Sequence, residues 1–259
     1  IAPGKDAIHD GSDHQTTAAS TGHEISPSST NDALNWYVPK SWNGTDVSGY
    51  QKATVSRQLE GGYTLEGDPK TYYAYTMAEY TLYTINQTGE ADVYLDNSSS
   101  NGPVVVTASE GASKDWFDKI KGSLRVGLLI NDELKVVYAP VLPIGKGNDV
   151  SATEGWSCVS PDNLSVTMAP SYAHVSGDNM VDQNGKNWGA TGNGDSYVKP
   201  TGTAQMLAHV GYNGTNFKVV IWMEGTDNDC QNMSGLDVGE GSPTFDVTVS
   251  LVGIVPDSK

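Results

Sequence analysis

The stretch NFKVVIWMEGTDNDC, residues 216–230, decides the class of fold. Phe217, Val219, Ile221 and Met223 alternate with Lys218, Val220, Trp222 and Glu224. Apolar side chains therefore fall on both faces, which predicts a strand in the middle of a sheet rather than at a half-solvated edge. Gly225 ends the run, and Asp227, Asn228 and Asp229 then crowd in front of Cys230.

Strand signals extend outward from this centre. TYYAYTMAEYTLYTIN (71–86) is rich in Tyr and Thr and reads as one long strand. ADVYLD (91–96) and PVVVTAS (103–109) follow after short turns. SLRVGLLIND (123–132) and ELKVVYAP (133–140) form a hairpin around a tight turn. LSVTM (164–168) and AQMLAHVGY (204–212) are further strands, and TFDVTVSLVGI (244–254) alternates as one half-buried strand. SKDWFDKIKG (113–122) is the exception, a short helix capped by Ser113 and ended by Gly122, with Trp116, Phe117 and Ile120 on one side. About nine strands with one helix predict an all-β fold, a single jelly-roll-like β-sandwich with Greek-key links.

Two stretches stand outside that pattern. Residues 1–33 are polar and lack apolar periodicity, which predicts an extended N-terminal arm ahead of a sandwich domain at 34–259. Residues 144–203 are dominated by Gly, Asn, Asp and Ser and read as a long loop-rich insert.

Composition narrows the partners. Of 259 residues, 31 are acidic and 15 basic, a net charge of −16. Phosphate recognition needs clustered Lys and Arg, so nucleic acid and anionic membranes are excluded as partners. No run of 18 apolar residues exists, so no transmembrane helix is expected. The sequence begins at Ile1 with no charged-then-apolar leader, as expected of a mature secreted product.

In that compartment the two cysteines, Cys158 and Cys230, are expected to pair. Closing a loop of roughly seventy residues would stabilise the fold by about 4 kcal/mol in the chain-entropy model. The alternative is two buried thiols. Five scattered histidines complete no zinc spacing with them.

The acidic turn admits a cation. Glu224, Asp227 and Asp229 offer oxygen ligands of the kind that hold calcium, although Asp and Asn are equally good turn formers. A catalytic reading would need a second carboxylate across a cleft from Glu224, and no position supplies one, so no enzyme is expected. Trp36, Trp42, Trp156 and Trp188 lie in polar surroundings and would suit either a carbohydrate-binding face or anchors that pin loops to the sheets. Six Asn-x-Ser/Thr triplets begin at Asn43, Asn86, Asn97, Asn163, Asn213 and Asn232.

Three islands, VYLDNSSS (93–100), GSLRVGLLINDELKVVYAP (122–140) and VVIWMEGTDNDCQN (219–232), together resemble the secreted Gram-positive matrix proteins of the TasA/camelysin type. That resemblance implies a jelly-roll-like sandwich acting as a non-enzymatic subunit of an extracellular fibre or biofilm matrix. Its partners would be copies of itself, joined by an N-terminal donor strand. The arm around Ile1, Ala2, Ala7 and Ile8 would carry that assembly, and ALNWYVPKSW (33–42) is a more apolar candidate insert. A secreted carbohydrate-binding or adhesive module, recognising surface or matrix glycans, is the other expectation.

Overall fold

Alternation and hairpin signals become strands throughout this computed structural model. It describes residues 2–3, 24–40, 49–55, 61–96, 102–112, 114–140, 157–161, 164–168, 172–176, 179–182, 189–190, 192–193, 196–197, 205–231 and 244–256. The chain opens with β1 (Ala2–Pro3), β2 (Trp36–Pro39), β3 (Tyr50–Ala53), β4 (Gly62–Leu65), β5 (Asp68–Tyr73) and β6 (Thr76–Leu82). Next come β7 (Glu90–Asp96), β8 (Val104–Ala108), the helix α1 (Lys114–Ile120), β9 (Leu124–Ile130) and β10 (Glu133–Tyr138). Short strands follow as β11 (Ser157–Val159), β12 (Val166–Met168), β13 (Tyr172–Ser176), β14 (Asn179–Asp182), β15 (Gly189–Ala190), β16 (Gly192–Asn193) and β17 (Ser196–Tyr197). The last elements are β18 (Ala208–Gly211), β19 (Thr215–Met223), the one-turn α2 (Asn228–Gln231), β20 (Phe245–Val249) and β21 (Leu251–Ile254). The expected all-β, sandwich-like fold with a short helix is therefore present. Among the described residues no helix is long and apolar enough to cross a membrane.

The centre is a seven-stranded sheet in the order β1-β6-β19-β9-β10-β13-β14. β19 lies between β6 and β9 and is antiparallel to both, with Val220 opposite Met77 on one side and Gly127 on the other. The sequence order of these strands is not their spatial order, so the links cross over. Every residue of β9 is buried, because the sheet is covered on both faces. Val126, Leu128, Phe217 and Val219 pack into one cluster with Val93 and Leu95 of β7, Val104 of β8 and Val210 of β18. Leu129, Val220 and Trp222 point the other way, into a second cluster with Trp36, Val38, Tyr63, Cys158 and Tyr172. This is the two-faced burial that the 216–224 alternation predicts.

Turn chemistry fixes the β9–β10 register. Asn131 and Asp132 both take positive φ (50° and 67°), the backbone a two-residue primed turn requires and one that Asn and Asp tolerate. A bulge between Leu134 and Val136 then shifts the ladder. Leu134 packs against the second cluster while Val136 enters the first, although the two are only two residues apart.

Three expectations change. The 71–86 strand breaks at Ala74 and Tyr75, where the Ala74 carbonyl accepts the Ser28 hydroxyl (2.6 Å) and its N–H donates to Gly61 (3.0 Å). The 244–254 strand breaks at Ser250, whose N–H donates to Pro103 and whose carbonyl accepts from Asp96, so β20 pairs with β8 and β21 with β7. Residues 24–33, read as the end of the arm, belong to the body. Ser28, Ser29 and Thr30 are fully buried, and Ser28 is laced into β19 by bonds to Met223 and from Gly225. Polar composition misleads here because the Ser28, Ser29 and Thr30 hydroxyls all have internal partners.

Candidate functional site

β19 delivers Glu224, Gly225, Thr226 and Asp227 to the end of the second face, where the chain turns into α2. The Glu224 N–H donates to the Ser123 carbonyl (2.7 Å), so the turn is tied to the start of β9. Asp227 caps α2, its Oδ1 accepting the Asp229 N–H at 2.9 Å. Its Oδ2 accepts from Arg125 Nη2 at 2.6 Å, and the side chains of this ion pair are only 0% and 3% exposed. Arg125 Nη1 donates to the carbonyls of Gly122 (2.7 Å) and Leu124 (2.9 Å), and its guanidinium lies 5.4 Å from the Tyr172 ring. Arg125 sits opposite Trp222 in the ladder, so β9 and β19 bring the cation beneath the acidic turn.

Glu224 is the second buried carboxyl. It accepts hydrogen bonds from Trp222 Nε1 (3.2 Å), Thr226 Oγ1 (2.9 Å) and the Thr226 N–H (3.2 Å). Burial raises its pKa above the ordinary glutamate value, and Arg125 and these donors, with Ser29, counter that only in part. Asp229 is also pushed up, first by burial and then by the charge of Asp227. Its carboxylate lies against Gly122, where an added Cβ would stand 1.6 Å from Oδ2.

This junction corrects two expectations. Cys158 and Cys230 are both buried free thiols, not a disulfide. Cys158 packs among Trp36, Trp222 and Tyr172 on β11, whereas Cys230 lies in α2 behind Asp227. Burial, reinforced by the nearby Glu224, pushes both thiols well above the usual range, so neither is a ready nucleophile. The acidic turn is held to β9 by the Arg125–Asp227 ion pair.

The second correction concerns calcium. Among the described residues no three His, Cys, Asp or Glu side chains are placed to hold one metal ion. Glu224 and Asp227 turn oxygens toward protein donors, and Asp229 adds its backbone N–H to Asp227.

The aromatic face also changes. Trp36 is 1% exposed, with Tyr75 at 4.6 Å and the edge of Trp222 at 5.7 Å. A ring so enclosed is an anchor and cannot stack on a sugar. Trp42, Trp156 and Trp188 lie outside the described residues. The segment around Trp36 likewise forms β2 within the body, paired with β3, and is not a free insert.

One end of the central sheet is formed by β6 and the two-residue β1, the other by β14. Ala2 pairs with Thr81 and Pro3 with Tyr80, antiparallel, and among the described residues no other strand lies on that side of β6. Proline lacks an N–H and suits an edge strand. Of the other assembly residues, Ile1, Ala7 and Ile8 lie outside the described residues.

Arg125 and the Ser28–Thr30 strap are the residues that sequence reading missed. Arg125 carried a signal, a lone charge inside the apolar run SLRVGLLI, which implies a buried partner. The strap carried none. No family model, curated protein or solved structure matches the chain.

Proposed function

We propose that this chain is a non-enzymatic extracellular structural protein, a self-assembling subunit of a fibre or surface matrix joined by N-terminal strand addition. The observation that carries the reading is the acceptance of Ala2–Pro3 as an added strand at the β6 edge. Strand addition supplies affinity through backbone hydrogen bonds and needs no concave pocket. An exposed edge is a liability that folds ordinarily cover, so an edge left to a separate polar arm suits joining between copies. The twenty residues 4–23 separate that strand from the body at Glu24, and an extended chain of this length reaches about 70 Å, far enough to meet a neighbour.

Electron microscopy of the purified chain, with and without residues 1–23, tests this. Filaments that form only with the arm are expected. Monodisperse particles at every concentration would refute self-assembly. The truncation stops at residue 23 because removing Ser28, Ser29 and Thr30 would open the core.

A further inference from the structure

The strand that joins copies in the proposed fibre is, within a single chain, paired with that chain's own sheet. We propose that this pairing of Ala2–Pro3 with Thr81 and Tyr80 is an autoinhibitory cap that holds the isolated chain back from assembly. The inference rests on the fibre reading and names how its joining site is regulated.

Direction and reach make the cap feasible. β1 is antiparallel to β6, with Ala2 opposite Thr81 and Pro3 opposite Tyr80, so the chain enters beside the end of β6 and travels toward its start. Ile25 bridges to Tyr73, just before β6 begins. The return from Tyr80 to that level is about 25 Å at strand spacing. The twenty residues between Pro3 and Glu24 span up to about 70 Å when extended, more than this distance requires.

Mass action then sets the preference. A strand joined through a linker of this length competes from an effective concentration on the order of millimolar. A neighbour's identical strand, offered at micromolar concentration, competes for the same edge at a disadvantage of about a thousandfold. The cap is nevertheless weak in absolute terms. It spans two residues, one of them a proline with no N–H to donate. A short, self-held strand of this kind yields once crowding at a surface, or a longer ladder made in trans, outweighs the tether.

The cap would also protect the chain before assembly. An uncovered β6 would expose unpaired backbone groups to any other strand. Self-pairing covers the Tyr80–Thr81 end of that edge without a separate protein.

A cross-strand disulfide tests the proposal in the full-length chain. Ala2→Cys with Thr81→Cys places thiols on register partners, whose Cβ atoms in an antiparallel pair are about 5 Å apart and reach disulfide distance with a small adjustment. Oxidation below micromolar concentration should give an intramolecular bond between these two residues, read by peptide mapping. The oxidised protein should stay monomeric at concentrations where the wild-type chain forms filaments, and reductant should restore assembly to the wild-type level.

A ladder of intermolecular disulfides in the dilute sample would overturn the cap while leaving the fibre reading intact, as would undiminished assembly of the oxidised monomer. Absence of wild-type filaments at any concentration would instead remove the fibre reading and the cap's regulatory role with it. Hydrogen exchange gives a second readout without substitutions. The β6 amides should exchange faster in the chain lacking residues 1–23 than in the dilute intact chain, and equal rates would overturn the cap.

Discussion

Replacing Arg125 by methionine is the most informative perturbation of the junction. The substitution keeps most of the side-chain volume but removes the donors to Asp227, Gly122 and Leu124. Asp227 then keeps only the Asp229 N–H at its Oδ1, while its side chain remains 3% exposed. Breaking a buried ion pair from one side costs about 3–5 kcal/mol, because the remaining charge has neither water nor partner. A domain of this kind is stable by about 5–15 kcal/mol, so the loss is a large fraction of the whole. Urea unfolding followed by tryptophan fluorescence measures it, as a lower midpoint at unchanged slope. Arg125→Met with Asp227→Asn completes a cycle, and the pair should recover about 1–3 kcal/mol relative to the sum of the single changes. A loss below about 1 kcal/mol for Arg125→Met, or strict additivity, would refute the ion pair as the fastening of the turn.

Other consequences follow from the same region. Thiol titration of the unreduced, denatured chain should count two free cysteines, the native chain should label slowly, and reductant should leave the melting temperature unchanged; a count of zero would restore the disulfide. Glu224 has a folded-state pKa above its ordinary value of 4.5, so its contribution to stability is fully present below that value and is lost as pH rises through the folded pKa. Glu224→Gln should therefore flatten the fall in unfolding free energy above pH 4.5, and parallel pH profiles for the two proteins would contradict this. Gly225→Ala would bring a Cβ to 2.1 Å from Tyr50 Oη and should cost about 1–3 kcal/mol by overpacking, with Tyr50→Phe recovering part of the loss. Independence of the two changes would show that the contact is not what requires glycine.

What could be read in advance was whatever local chemistry decides. The β9–β10 hairpin follows from two apolar runs around Asn131–Asp132, which tolerate the turn backbone. The helix follows from Phe117 and Ile120, both buried. β19 follows from having apolar side chains on both faces. The breaks at Ala74 and Ser250 were illegible because no Gly or Pro marks them; hydrogen bonds from distant residues make them. Ser28–Thr30 resembled solvated linker because composition does not reveal internal partners. Arg125 meets Asp227 102 positions further along the chain, so the lone charge in β9 could announce a partner without naming it.

The placement of β19 also sets the order of events in synthesis. β6 and β9 flank it on either side and do not touch each other in the ladder. Until residues 215–223 leave the ribosome, the two portions of the sheet have no common strand, and neither large apolar cluster can close. Sheets built from such distant segments fold slowly because the entropy of long loops is lost before any contact is gained. Both apolar clusters therefore close only when the strand that serves the two faces of the sheet arrives.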